Sequence, residues 1–154
     1  MNFREKSVMF FATGCFIGNI PFAPGTFGTI LGIPLCFLLS GTNFLIAVLL
    51  TVIFIVFAIF IAHHAEKILK KNDPGCIVID EIAGFMVALF GLPFNAVYVS
   101  AGFVIFRFFD ILKPFPIRLI ERKLSGGTAI VMDDVAAGIC SNLALRIVLH
   151  LWLN

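Results

Sequence analysis

Apolar residues in this chain form long runs instead of alternating with polar ones. The longest, residues 44–62, holds nineteen residues without a charge, a glycine or a proline. A helix of that length measures about 28 Å at 1.5 Å per residue, close to the hydrocarbon thickness of a bilayer. The pattern therefore predicts a membrane-spanning helix over residues 44–62.

The other apolar runs are interrupted by glycine, proline or polar residues. They predict four further, shorter or broken spans over residues 27–39, 82–92, 94–106 and 135–153, and a re-entrant or interfacial segment over residues 7–20. Such interruptions are tolerated where neighbouring helices satisfy the freed backbone groups. The sequence thus predicts an all-α fold, a polytopic membrane helix bundle with short, broken and re-entrant helices, in a single domain covering residues 1–154.

Composition supports a lipid environment and narrows the classes of partner. Hydrophobic residues make up 60% of the chain and charged residues 13%, against about 25% charged in a soluble domain. The net charge of +2 and the lack of a basic stripe argue against nucleic acid as a partner. The four cysteines form no C-x-x-C pair, so no zinc framework is predicted.

The distribution of lysine and arginine predicts the orientation. Positive residues cluster within residues 4–6, 67–71 and 113–123, whereas the connections 40–43 and 91–95 contain none. Positively charged connections stay on the cytoplasmic side. We therefore expect a multi-pass protein whose three basic clusters face the cytoplasm.

Five of the nine acidic residues adjoin apolar segments, all at the predicted cytoplasmic level. They are Asp80, Glu81, Asp110, Asp133 and Asp134. Any one of them could simply be solvated or cap a helix. Two acidic dipeptides, each at the start of an apolar helix, and a third acid at the end of another indicate a functional site. Clustered carboxylates suit Mg²⁺, so the five are predicted to be both metal ligands and catalytic residues.

Basic and glycine-rich segments stand beside these acids. Arg107 and Lys113 are candidates for binding a lipid phosphate. Alternatively, Arg107 forms an ion pair with Asp110, and Lys113 is an anchor whose long side chain snorkels to the membrane surface. Gly25 and Thr26 belong to a glycine-rich stretch that precedes a helix and could bind an anion, or could form a simple turn.

Two further features have a structural interpretation. His63 and His64 stand at the end of the long apolar run. We interpret them as anchors at the membrane interface in preference to a catalytic base. The stretch SGGT at 125–128 is predicted to form a turn.

Four blocks together resemble the phosphatidylglycerophosphatase A family. They are PFAPGTFGT at 21–29, GCIVIDEIAG at 75–84, GFVIFRFFDILKPFPI at 102–117 and GGTAIVMDDVAAG at 126–138. The resemblance implies a bacterial inner-membrane enzyme that uses Mg²⁺ to hydrolyse phosphatidylglycerophosphate, a phospholipid in the bilayer, to phosphatidylglycerol and phosphate. It places the five acids and the two basic residues on the family's acidic and basic positions, and it matches Gly25 and Thr26.

Other classes of protein remain open at this point. A different membrane lipid phosphotransferase would also use carboxylates and Mg²⁺. An ion transporter would carry acids at mid-span, and a scaffold subunit would need no acidic cluster. The D-x-D-x-T pattern of aspartyl-phosphate phosphatases is absent, which favours attack by metal-activated water. The sequence leaves the oligomeric state open.

Overall fold

The computed structural model describes residues 1–153, with the side chains of residues 1–120 and 122–148. This part of the chain is helical and contains no strand. Seven α-helices follow one another, with a short 3₁₀ helix at Ile17–Asn19: α1 Phe3–Ala12, α2 Pro24–Ser40, α3 Phe44–Leu69, α4 Ile79–Ala88, α5 Ala96–Leu112, α6 Ile117–Lys123 and α7 Gly127–Leu153. The predicted all-α membrane helix bundle is confirmed.

Helices α3 and α7 are long and apolar enough to cross a membrane. Asn43 caps the start of α3, its side chain accepting from the N–H of Ile46 at 2.9 Å. An exposed apolar stripe then follows α3 at helical spacing, through Leu45, Leu49 and Val52 and onward. Such a stripe is unfavourable in water and suits contact with lipid.

Helix α3 continues past the predicted end of the span at residue 62. It ends only at Leu69, before Lys70 adopts a left-handed conformation with φ 50°. His63 and His64 follow the apolar run but lie within the helix, which is longer than the predicted span. Ala65 is fully buried, so packing against neighbouring helices extends α3 beyond its apolar run.

Helix α4 occupies the centre of the bundle. It packs against α2, α3, α5 and α7, and eight of its ten residues are buried. At 1.5 Å per residue it is about 15 Å long, which is too short to cross a bilayer, and it covers only part of the predicted segment over residues 82–92. It stops at Ala88 because residues 89–95 form a turn with Gly91 at φ 64° and Pro93.

The ends of α5 agree only in part with the sequence-based boundaries. The helix begins at Ala96, two residues later than predicted, because the Asn95 side chain caps it by accepting from the N–H of Tyr98 at 3.0 Å. It continues past the predicted boundary at residue 106 and ends at Leu112, with Lys113 as its cap. Pro114 accounts for this ending, since the residue before a proline is disfavoured in the α-helical conformation.

Helix α7 begins earlier than the sequence indicated. Its first residue is Gly127, so Asp133 and Asp134 lie in its second turn and not at a helix start. The predicted turn at 125–128 is confined to Ser125 and Gly126, the latter at φ 65°. Ile130 and Val131 are buried in the core, and this packing explains why the helix starts before the acidic pair.

The N-terminal segment is broken, as predicted. Helix α1 ends at Ala12, and Gly14, Cys15 and Phe16 all have positive φ before the 3₁₀ helix. The N–H of Val78 donates to the carbonyl of Ala12 at 2.8 Å. This bond attaches the end of α1 to the residue that directly precedes α4.

Candidate active site

Three carboxylates converge where α4 meets α7. Asp80 and Glu81 lie in the first turn of α4, and Asp134 lies on α7. One carboxylate oxygen from each lies within 4.8 Å of the others. Asp80 is 8% exposed and Asp134 is 4% exposed. We call these three residues the acidic cluster.

Two glycines allow the helices to approach closely enough to form this cluster. A Cβ on Gly84 would lie 2.6 Å from the backbone oxygen of Asp134, and one on Gly138 would lie 2.3 Å from the backbone oxygen of Gly84. Any side chain at either position would force the helices apart. The spacing to the acids was the one available sequence signal for these glycines, since each follows an acid of the cluster by four residues.

Oxygens of the acidic cluster lack hydrogen-bond partners. Asp80 Oδ1, Glu81 Oε2 and Asp134 Oδ2 are buried and unsatisfied. Burial raises the pKa of Asp80 well above its ordinary value and that of Glu81 to about 6. Buried polar atoms without partners are rare in folded proteins. Three hard oxygen ligands this close together fit a divalent cation such as Mg²⁺.

Arg107 lies next to the acidic cluster. From α5 it forms an ion pair with Asp110, and its Nη1 is 3.8 Å from Glu81 Oε1. The ion pair with Asp110, predicted as the alternative to phosphate binding, is therefore present. Its Nε is buried and has no hydrogen-bond partner, so the guanidinium can donate a further bond inside the site. Asp110 pairs with this guanidinium and also contacts Asp134, but it lies outside the set of three mutually close oxygens.

Lys113 and Asp133 form a second ion pair, between the end of α5 and α7. Asp133 Oδ1 also accepts from the N–H of Asp134 at 3.0 Å. The carboxylate of Asp133 is therefore engaged on both oxygens. The structure thus brings the five predicted acids into one region but separates them into a cluster of three and two ion-paired residues.

The glycine-rich segment contacts the cluster through Gly25. Helix α2 begins at Pro24, so this segment starts a helix and does not form a turn. A Cβ on Gly25 would lie 2.2 Å from Glu81 Oε1 and 2.9 Å from Arg107 Nη1. The half-buried Thr26 donates its N–H to the Ala23 carbonyl at 3.0 Å. The positive end of α2 therefore lies against the Glu81 carboxylate.

A polar cavity of about 310 Å³ adjoins Asp133. Glu66, Asn72 and Asp73 line it, together with the turn before α7. A Cβ on Gly126 would lie 2.9 Å from His63 Nδ1, so His63 lies close to this turn. Asp73 lies beside Asp133 because the fold brings the segment before α4 close to the start of α7.

Fold and site together define a helical membrane protein in which an arginine and three carboxylates, each with one buried oxygen that lacks a partner, meet at the ends of helices. The profile of the phosphatidylglycerophosphatase A family matches residues 10–149. The chain belongs to this family, as its four sequence blocks indicated.

Individual relatives agree with this assignment. Phosphatidylglycerophosphatase A of Escherichia coli is 37% identical over 142 residues, which cover 92% of this chain and 83% of the relative. The protein of the same name from Haemophilus influenzae is 40% identical over 133 residues, covering 83% and 80%. A putative phosphatidylinositol-3-phosphatase of Bacteroides thetaiotaomicron is 37% identical over 142 residues, covering 88% and 89%. No solved structure matches the chain.

Proposed function

We propose that the protein removes the terminal phosphate of phosphatidylglycerophosphate in phospholipid biosynthesis, releasing phosphatidylglycerol and inorganic phosphate. Family membership supports the reaction. The observation that carries the site assignment is the set of unpaired oxygens of Asp80, Glu81 and Asp134 beside Arg107. A scaffold subunit would have no use for such a set, and a transporter would place its acids at mid-span.

In this proposal Asp80, Glu81 and Asp134 hold Mg²⁺. When bound there, the ion would polarise the phosphoryl group and make water more acidic. Water attacks phosphorus, the bond from phosphorus to the glycerol oxygen breaks, and a proton reaches that oxygen. The protein contributes a buried site that orients the phosphate and limits access of bulk water.

The basic residues bind the substrate phosphate in this proposal. Arg107 has an unpaired Nε for this purpose, and Asp110 holds its guanidinium in place. Asp133 does the same for the ammonium group of Lys113. The N–H of Gly25 and the hydroxyl of Thr26, at the positive end of α2, would add donors for the anion. Asp110 and Asp133 would then support catalysis by positioning the two cations.

Substrate preference tests the proposed reaction. Purified protein in lipid nanodiscs should release phosphate from phosphatidylglycerophosphate much faster than from phosphatidylinositol 3-phosphate, the alternative that the Bacteroides relative's name suggests. Asp134→Asn serves as the inactive control. Faster release from the inositol lipid would contradict the proposed substrate, and no release from either lipid would contradict a lipid phosphatase.

We further propose a multi-pass arrangement in the bacterial inner membrane, with the site on the cytoplasmic side. The support is the position of exposed Arg118, Arg122 and Lys123, which follow the end of α5 that carries Lys113. The phospholipid substrate would then reach the site from the inner leaflet. The connection 91–95 at the other end of α4 has no basic residue.

Cysteine labelling tests this orientation. In a variant lacking the four native cysteines, we place single cysteines at Asn72 and Thr42, both exposed. A membrane-impermeant maleimide should label Thr42→Cys in intact spheroplasts and Asn72→Cys only after permeabilisation, because the basic clusters stay inside. Labelling of Asn72→Cys in intact spheroplasts would refute the orientation.

A further inference from the structure

Helix α4 ends inside the bundle, and its last carbonyl groups need donors from elsewhere. The final carbonyls of any helix lack partners within it, and leaving them unpaired in apolar surroundings is costly. Helix α7 supplies a donor. Asn142 Nδ2 donates to the carbonyls of Val87, Ala88 and Phe90 at 3.3, 3.0 and 2.9 Å.

Arg146 completes this arrangement one turn further along α7. Its Nε donates to Asn142 Oδ1 at 2.8 Å, and its Nη2 donates to the carbonyls of Phe90 and Gly91 at 3.2 and 3.3 Å. Because a guanidinium can only donate, the Nε contact requires that the amide nitrogen of Asn142 faces α4. We call Asn142 and Arg146 the outer cap. It also brings a positive charge to the negative end of α4.

The outer cap and the acidic cluster lie on the same seam between two helices. Matching rows at four-residue spacing face each other: Asp80, Gly84 and Ala88 on α4, and Asp134, Gly138 and Asn142 on α7. The acids meet at one end, the glycines in the middle and the cap at the other end. The two helices therefore run parallel and in a defined register.

Helix α4 packs against four neighbouring helices, and on the seam itself the outer cap adds directional contacts to that packing. Gly84 and Gly138 bring the backbones together but have no side chain to interlock. Hydrogen bonds are directional and weaken steeply when stretched or bent, so the two bonds to Val87 and Ala88 and the three to the turn directly after them help to fix the axial position of α4. Asn142 and Asp134 are eight residues apart on α7, a distance of about 12 Å along a stiff helix. An axial shift at the cap is therefore passed to the acidic cluster.

We propose that Asn142 and Arg146 are positioning residues for the acidic cluster: by capping α4 they hold Asp80 and Glu81 level with Asp134. The proposal rests on the proposed metal-binding role of these carboxylates. Mg²⁺ demands near-ideal octahedral geometry at about 2.0–2.1 Å. A shift of α4 by a fraction of one residue would therefore weaken metal binding before it unfolds the bundle.

The test measures Mn²⁺ affinity by electron paramagnetic resonance on the full chain in nanodiscs, which needs no turnover. Asn142→Leu removes the donor and keeps similar bulk. Loss of outer support around a metal site typically weakens affinity by about 10–100-fold, so we expect the Kd for Mn²⁺ to rise at least about tenfold. The Mg²⁺ concentration for half-maximal activity should rise in parallel, while kcat at saturating Mg²⁺ falls much less.

Ser141→Ala is the matched control. Ser141 is the neighbouring residue, fully buried, and its hydroxyl donates only within α7, to the Ala137 carbonyl at 2.7 Å. Its variant should keep the wild-type Kd. An unchanged Kd in Asn142→Leu, an equal rise in Ser141→Ala, or a fall in kcat alone would overturn the proposal.

A second variant and a reference protein complete the design. If Asn142→Leu cannot be purified as a monodisperse protein, Arg146→Gln decides by the same criterion, since it removes the contacts to Phe90 and Gly91. If the wild-type protein binds Mn²⁺ and Asp134→Asn does not, the acidic cluster is a metal site whatever the cap variants show. If wild-type protein bound no Mn²⁺, the metal proposal would fail and the positioning role would be overturned with it.

Discussion

Replacing either Asp80 or Asp134 with asparagine should lower the rate of phosphate release by at least about a hundredfold. Asparagine keeps the size of the side chain and removes its charge. Uncatalysed hydrolysis of a phosphate monoester is extremely slow, so the site must supply most of the barrier reduction through charge and position. Steady-state release of phosphate from phosphatidylglycerophosphate by the purified variants measures the effect.

The double variant Asp80→Asn/Asp134→Asn should lose little more than either single variant. Residues that act as one unit show strongly non-additive effects, and the two carboxylates have oxygens within 4.8 Å of each other. Glu5→Gln, which changes a partly exposed carboxylate in α1, is the control and should keep wild-type activity. Fully multiplicative losses in the double variant would show that the two acids act separately.

Gly25→Ala should reduce activity by about a hundredfold, the effect of a misplacement of about 1 Å at a catalytic site. The added methyl group would lie 2.2 Å from Glu81 Oε1. Either α2 moves away, or the Glu81 and Arg107 side chains are displaced from the site. Phosphate release by the variant, with its thermal stability measured in parallel, distinguishes a displaced site from an unfolded protein.

Gly41→Ala is the matched control for this substitution. It lies just after the other end of α2 at φ −86°, and the nearest atom to its added Cβ is the Leu38 carbonyl oxygen at 3.7 Å. The variant should therefore keep wild-type activity. If Gly25→Ala also kept full activity, close contact between α2 and the Glu81 carboxylate would have no part in catalysis.

Much of the fold could be predicted because lipid-facing helices have a strong sequence signal. The uninterrupted run at 44–62 and the Lys113-Pro114 stop both appear in the structure. The central position of α4 could not be predicted, since a short apolar run does not reveal whether protein or lipid surrounds it. The early start of α7 at Gly127 was missed because residues 125–127 have the composition of a turn.

In the candidate site, contacts within one helix could be predicted from the sequence, whereas contacts between helices could not. The pairing of Arg107 with Asp110 follows from their spacing on one helix face. The pairing of Lys113 with Asp133 joins residues twenty positions apart, and no local pattern indicates it. The sequence indicates five candidate acids, but only the packing of α4, α5 and α7 shows which three each keep a buried oxygen without a partner and which two form the closest ion pairs with Arg107 and Lys113.

The central claim is that Asp80, Glu81 and Asp134 bind the divalent cation that hydrolysis requires. The most direct measurement is phosphate release from phosphatidylglycerophosphate by protein that has been exhaustively chelated and then titrated with Mg²⁺. We expect negligible release after chelation and full recovery with Mg²⁺, because hard carboxylate oxygens favour this ion. Asp134→Asn should not recover at the same Mg²⁺ concentrations. Full activity of the chelated wild-type protein would contradict the claim.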